Sequence, residues 1–161
     1  MNPLLPPAEM AAKGPGIEVI VNNVGSWSVP EHQLEKGCRA VLDVEGIQEG
    51  EISITLLDDA GIRGLNKEYF GRDWPTDVIA FALQSPGDPL LGDVYLGFEQ
   101  AQRQASELDV PLDEELLRLV IHGALHVLGY QHPEGEDRFG SGMFLKQEEL
   151  LKSVLLLEGH L

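Results

Sequence analysis

The chain has 161 residues, 43% hydrophobic and 24% charged, with 27 Asp and Glu against 11 Lys and Arg. That length suits one domain, and the composition can bury a core and argues against disorder. A formal net charge of −16 speaks against a coating of nucleic acid or membrane, the single Cys38 excludes an internal disulfide scaffold, and no apolar run approaches the ~20 residues of a membrane helix.

Residues 1–16 hold four of the ten prolines, together with Gly14 and Gly16, and read as a flexible tail. The start, MNPLLPPAEM, has neither the basic head nor the long apolar stretch of a signal peptide, so the expected compartment is the cytoplasm. Residues 17–161 read as a single domain. Ile17 to Asn22 is a strand. Pro30 opens a helix to about Glu45, with Leu34, Cys38, Val41 and Leu42 on one face. On that face Cys38 reads as a small buried apolar residue, not a nucleophile.

Glu51 to Leu57 alternates polar and apolar residues, as a half-buried strand does. Asp58 and Asp59 can cap a helix running to about Phe70. Residues 71–77 form a turn. The continuous apolar run Val78 to Leu83 predicts a central strand, 84–90 a loop, and 92–96 a short strand. Phe98 to Leu108 is a polar helix. The next helix, about 112–128, is apolar almost all round and so is expected to be buried; Gly129 ends it. A last helix runs from about Ser141 to Leu157. The order β-α-β-α-β-β-α-α-α predicts an α/β (α+β) domain: one small mixed sheet of about four strands, helices packed on it, and a buried central helix carrying two metal-binding histidines.

Those histidines carry the chemistry. Three of the five lie in His122-Gly-Ala-Leu-His126-Val-Leu-Gly129-Tyr-Gln-His132. Residues four apart share a helix face, so His122 and His126 can reach one ion. The turn at Gly129 can bring His132 back to it. Three neutral nitrogens leave a fourth position open, as in a catalytic zinc. Incidental core histidines would each cost about 1–3 kcal/mol if left unpaired, which makes three in 11 residues hard to explain otherwise. His32 and His160 read as surface residues. The spacing matches the metzincin pattern except at Gly123, where those proteases place a Glu that moves the proton of the metal-bound water. Without that acid, expulsion of an amine is disfavoured, whereas a metal and a cation can stabilise a phosphodiester's leaving oxygen.

From Leu65 onward the chain resembles the YbeY family of bacterial endoribonucleases. The residues that carry the likeness are Leu65-Asn66 with Tyr69, Asp73, Pro75-Thr76-Asp77-Val78 with Phe81, and Leu91-Gly92-Asp93-Val94. The histidine motif and Met143 with Glu148 complete them, over roughly 58–152. The resemblance implies a metal-dependent hydrolase specific for single-stranded RNA, with one zinc on His122, His126 and His132. It implies ribosomal RNA as substrate, notably the 3′ end of the small-subunit RNA, a role in ribosome quality control, and the ribosome or its proteins as partners. Three departures stand out. The family often has a functional Arg where this chain has Phe70, and phenylalanine cannot bind phosphate; Arg72, two residues on, is the candidate replacement. Gln131 stands for a usual Asp, and Ala80 for a usual Ser.

Arg63 and Lys67 are further candidates for substrate contact. Asp77 and Asp93, at strand ends, could accept the second N–H of a histidine and fix its tautomer. Trp74 could stack on a base but reads first as a packing cap. Glu134, Glu136 and Asp137 read as loop and capping residues. Two other functions fit the pattern: a ribosome-associated factor whose zinc is mainly structural, and a zincin-like peptidase. Three histidines would also accept nickel, copper or cobalt.

The acidity is unevenly spread. Residues 1–59 carry 10 acids and 3 bases, residues 107–161 carry 11 and 4, but residues 60–106 only 6 and 4. The near-neutral middle segment is therefore expected to line the cleft. The charge then bars tight, indiscriminate RNA binding rather than RNA chemistry.

Overall fold

A computed structural model describes residues 16–132 and 141–157. Most of the tail, the acidic residues at 134, 136 and 137, and His160 lie outside them. The elements follow the predicted order: β1 (Ile17–Asn23), α1 (Glu31–Val44), β2 (Gly50–Leu57), α2 (Asp59–Phe70), β3 (Val78–Ala82), β4 (Leu90–Gly97), α3 (Phe98–Leu108), α4 (Leu112–Val127) and α5 (Gly142–Leu157). The four strands form one mixed sheet in the order β1-β2-β4-β3. β1, β2 and β4 run parallel, and β3 pairs antiparallel with β4.

The alternation in β2 and β4 decides what covers the sheet. Ile52, Ile54, Leu56, Val94 and Leu96 are fully buried or nearly so. Gly92 and Val94 face α4: a Cβ at Gly92 would meet Val127, and one at Gly123 would meet Val94. α4 lies across that face beside α1, and α5 packs outside both. Leu116, Leu117, Val120, Ile121, Ala124 and Leu125 of α4 are fully buried, as are Leu34, Cys38 and Val41 of α1. Each large side chain of that set contributes about 1.5–3 kcal/mol by leaving water. Burial pushes the Cys38 thiol up to about 12, consistent with its packing role. Asp58 caps α2, its carboxylate accepting from the Gly61 N–H at 2.8 Å.

β3 corrects the sequence reading, for it is an edge strand and not a central one. A run that is apolar at every position fits any strand covered on both faces. Here Val78 packs toward α4 near Gly123. On the other face Phe81 meets Tyr69 and Phe70 at the end of α2. Only Ile79 of the strand is fully buried. β4 is longer than predicted, because Leu90 and Leu91 pair with Gly50 and Glu51. No helix among the described residues is long and apolar enough to cross a membrane.

Candidate metal centre

The four-residue spacing in α4 places Arg118, His122 and His126 on one stripe, one turn apart. The helix is buried over most of its surface, but both histidines are half-buried, on the strip that opens into a cleft. The helix is thus buried as expected but its two histidines are only half-buried, and the third member of the centre comes from the loop beyond, as the turn at Gly129 predicts. Gly129, at φ +100°, makes the left-handed turn that ends the helix. The Tyr130 N–H then donates to the Leu125 carbonyl at 3.0 Å, reversing the chain. His132 arrives with its ring centroid 5.1 Å from those of His122 and His126.

The ring nitrogens have defined roles. His122 Nδ1–H donates to Gln147 Oε1 at 2.6 Å, and His126 Nδ1–H donates to the Tyr130 carbonyl at 2.9 Å. With both rings neutral, the Nε2 atoms then carry lone pairs, and they face each other at 3.0 Å. Two lone pairs that close repel unless a cation lies between them and their neighbours. One ligand atom from each of the three histidines falls within 4.8 Å of the others. The donor set fits a divalent ion that prefers imidazole nitrogen. Burial, then the neighbouring His122, push His126 down to about 4, against the pull of the Tyr130 carbonyl. His126 is consequently neutral at pH 7, as a metal ligand must be.

The supports of the His122 and His126 rings differ from those expected. The Nδ1 partners are Gln147 and a backbone carbonyl, rather than Asp77 or Asp93. Asp93 is on the sheet face away from α4, where its carboxylate accepts from Ser53 Oγ at 2.6 Å. Asp77 does line the cleft, its Oδ1 within 3.4 Å of Thr76 Oγ1. Gln147, only 5% exposed, is held in turn by Glu148, whose Oε2 accepts from Gln147 Nε2 at 3.0 Å. Arg118 grips Glu148 at 3.0 Å, Glu115 at 2.6 Å and Glu114 at 3.3 Å. Burial raises the Glu115 carboxyl, and Arg118 opposes the rise. The sequence reading missed Arg118 and Gln147. The spacing 118, 122, 126 was a signal for the first; none existed for the carbonyl of Tyr130.

The cleft above the histidines has a volume of about 1060 Å³. Arg72 lines it, and no ion pair engages that guanidinium among the described residues. Arg63 and Lys67 do not line it; both turn to Asp73, at 2.7 and 4.0 Å. Trp74 lines the cleft and is 58% exposed, so it is no packing cap. Phe70 stacks on Phe81 and stays outside the cleft. The middle segment supplies only one wall. The other comes from the acidic third of the chain, so Glu107, Glu115 and Glu148 join Asp77 in a cleft that also holds Arg72 and Arg118.

A family model described as endoribonuclease YbeY matches residues 20–155. Endoribonuclease YbeY of Pelotomaculum thermopropionicum is 43% identical over 146 residues, covering 83% of this chain and 94% of the relative. That of Persephonella marina is 35% identical over 141 residues, covering 84% and 92%. A solution structure of a Thermotoga maritima protein superposes with a TM-score of 0.59 at 26% identity, over 88% of this chain and 90% of that one.

Proposed function

The chain belongs to the endoribonuclease YbeY family, and from that premise we propose that it is a zinc-dependent endoribonuclease of the cytoplasm, specific for single-stranded RNA. Its proposed substrate is ribosomal RNA, with maturation of the small-subunit 3′ end and ribosome quality control as its setting. The observation that carries the chemistry is the convergence of the His122 and His126 Nε2 lone pairs at 3.0 Å, beneath a cleft lined by Arg72.

His122, His126 and His132 would hold the zinc ion, which when bound would supply Lewis acidity and a water of lowered pKa. The chain's own residues do the rest. Gln147 and the Tyr130 carbonyl fix the Nδ1–H tautomers, so that the Nε2 lone pairs point to the ion. Arg72 offers five N–H donors to a phosphate, and its charge is not already spent on a carboxylate. Arg63 and Lys67 act on the turn through Asp73 rather than on the substrate in the cleft. Asp77 closes the wall beside the histidines.

A peptidase needs a proton carrier for the leaving amine. Position 123 cannot hold one, because its Cβ direction runs into Val94 and Val78 of the sheet. That favours phosphodiester over peptide chemistry.

The test compares wild type, His126→Ala and a chelated sample on a single-stranded RNA and on its duplex. Wild type should cut the single strand only. His126→Ala should lose about a hundredfold or more in rate with its circular dichroism intact, the scale of losing a Lewis acid. Zinc should restore the chelated sample. Undiminished cleavage by His126→Ala would overturn the nuclease assignment. Unfolding of the chelated sample would instead support a structural zinc.

A further inference from the structure

Trp74 stands in the cleft without a role in the chemistry above. Gly71, at φ +68°, closes α2, and the chain then passes through Arg72, Asp73 and Trp74. Asp73 turns toward α2, where Arg63 and Lys67 hold it. Its two neighbours both line the cleft. The backbone of Trp74 is anchored, since its carbonyl accepts from Asn66 Nδ2 at 2.9 Å and Asn66 is only 3% exposed. The indole itself is 58% exposed, and no ring among the described residues stacks on it. The other tryptophan behaves differently: Trp27 lies parallel to Phe98 with centroids 4.4 Å apart.

A rigid turn therefore presents a guanidinium and a bare aromatic face, two residues apart, to the same cleft as the three histidines. One nucleotide of a single strand offers the matching pair, a phosphate and a flat base. We propose that Trp74 is the platform on which one base of the single-stranded RNA stacks, next to the phosphate held by Arg72 at the metal centre. This rests on the endoribonuclease reading above and adds a specificity element to it. A base inside a duplex is already stacked on both faces and would have to leave its neighbours to reach the indole. Trp74 thus selects for single strands. Any base can serve, because each has a π face, so the subsite is tolerant of sequence.

Two measurements on the zinc-loaded protein test this. The first is a cleavage assay on a short RNA in which each base in turn is replaced by an abasic sugar. In wild type, loss of the base beside the cleaved bond should raise KM about tenfold, the size of one base–aromatic stack. Trp74→Ala should show that rise on intact RNA and no further rise on the abasic one, while Trp74→Phe retains most of the affinity. The second is the fluorescence of Trp74 in a Trp27→Phe background. It should be quenched by the intact single strand and not by the abasic one. An unchanged KM in Trp74→Ala, or an abasic penalty that persists in it, would overturn the proposal. So would fluorescence that ignores the base. Quenching without any cleavage would leave the stacking in place and remove the nuclease reading instead.

Discussion

A methyl group on residue 123 would stand 2.5 Å from Val94 Cγ1 and 3.3 Å from Val78 Cγ2. Gly123 is one of the points where α4 lies close against the sheet, between the two histidine positions. The residue thus has two consequences: it denies the site a carboxylate, and it lets the helix sit down. Gly123→Ala should destabilise the protein although alanine is the better helix former. Overpacking costs about 1–3 kcal/mol, and the gain in helix propensity offsets about 1 kcal/mol of it. The net cost of up to about 2 kcal/mol lowers the thermal midpoint by up to about 8 °C in a domain of this size. A raised midpoint would show that Val94 yields and that the close approach is not limiting. The sequence made only the chemical half of this legible. A missing Glu can be read from a motif, whereas the wall it would have met comes from strands 29 or more residues away.

The helix α5 shows the same division at the scale of an element. Three successive residues on it reach the centre from outside: Lys146 holds Glu45 at 2.6 Å, Gln147 holds His122, and Glu148 holds Gln147 and Arg118. Glu45 also accepts from the Tyr130 hydroxyl at 2.8 Å, and the Tyr130 carbonyl orients His126. Each of these two histidines is thus braced through α5. The ligand spacing on α4 was legible because helical period is a local property. The bracing was not, because it depends on α5 crossing α4, and half of it uses a backbone atom that no sequence motif encodes. β3 failed in a related way: apolarity told that both faces are covered but not which strands flank it. The expected consequence for Gln147→Met, which keeps the volume and removes the acceptor, is a zinc affinity lower by about 10–100-fold. Competition with a colourimetric chelator measures it, and circular dichroism confirms the fold. Unchanged affinity would mean that the His122 ring is held by packing alone.

At the scale of the whole molecule the question is how a chain of charge −16 handles a polyanion. Most of the bases among the described residues are committed to its own acids: Arg39 to Glu35, Arg63 and Lys67 to Asp73, Arg103 to Asp59, Arg118 to three glutamates, and Lys146 to Glu45. Within the cleft, among the described residues, only Arg72 is left for a phosphate, and four carboxylates line the same space. A divalent ion at the histidines would bring the cleft's formal charge to about zero rather than make it basic. Few counterions are then released on binding, one or two at most, from Arg72 and the metal. For single strands the affinity falls with a slope of about −0.7 per phosphate neutralised. Raising the salt from about 50 to 200 mM should therefore raise KM only about three- to sevenfold. A protein making six such contacts would lose more than about a hundredfold over that range. A loss of that size would show a basic track elsewhere on the surface. The shallow dependence would instead assign selectivity to Trp74, Arg72 and the metal, and delivery to a partner that already holds the RNA.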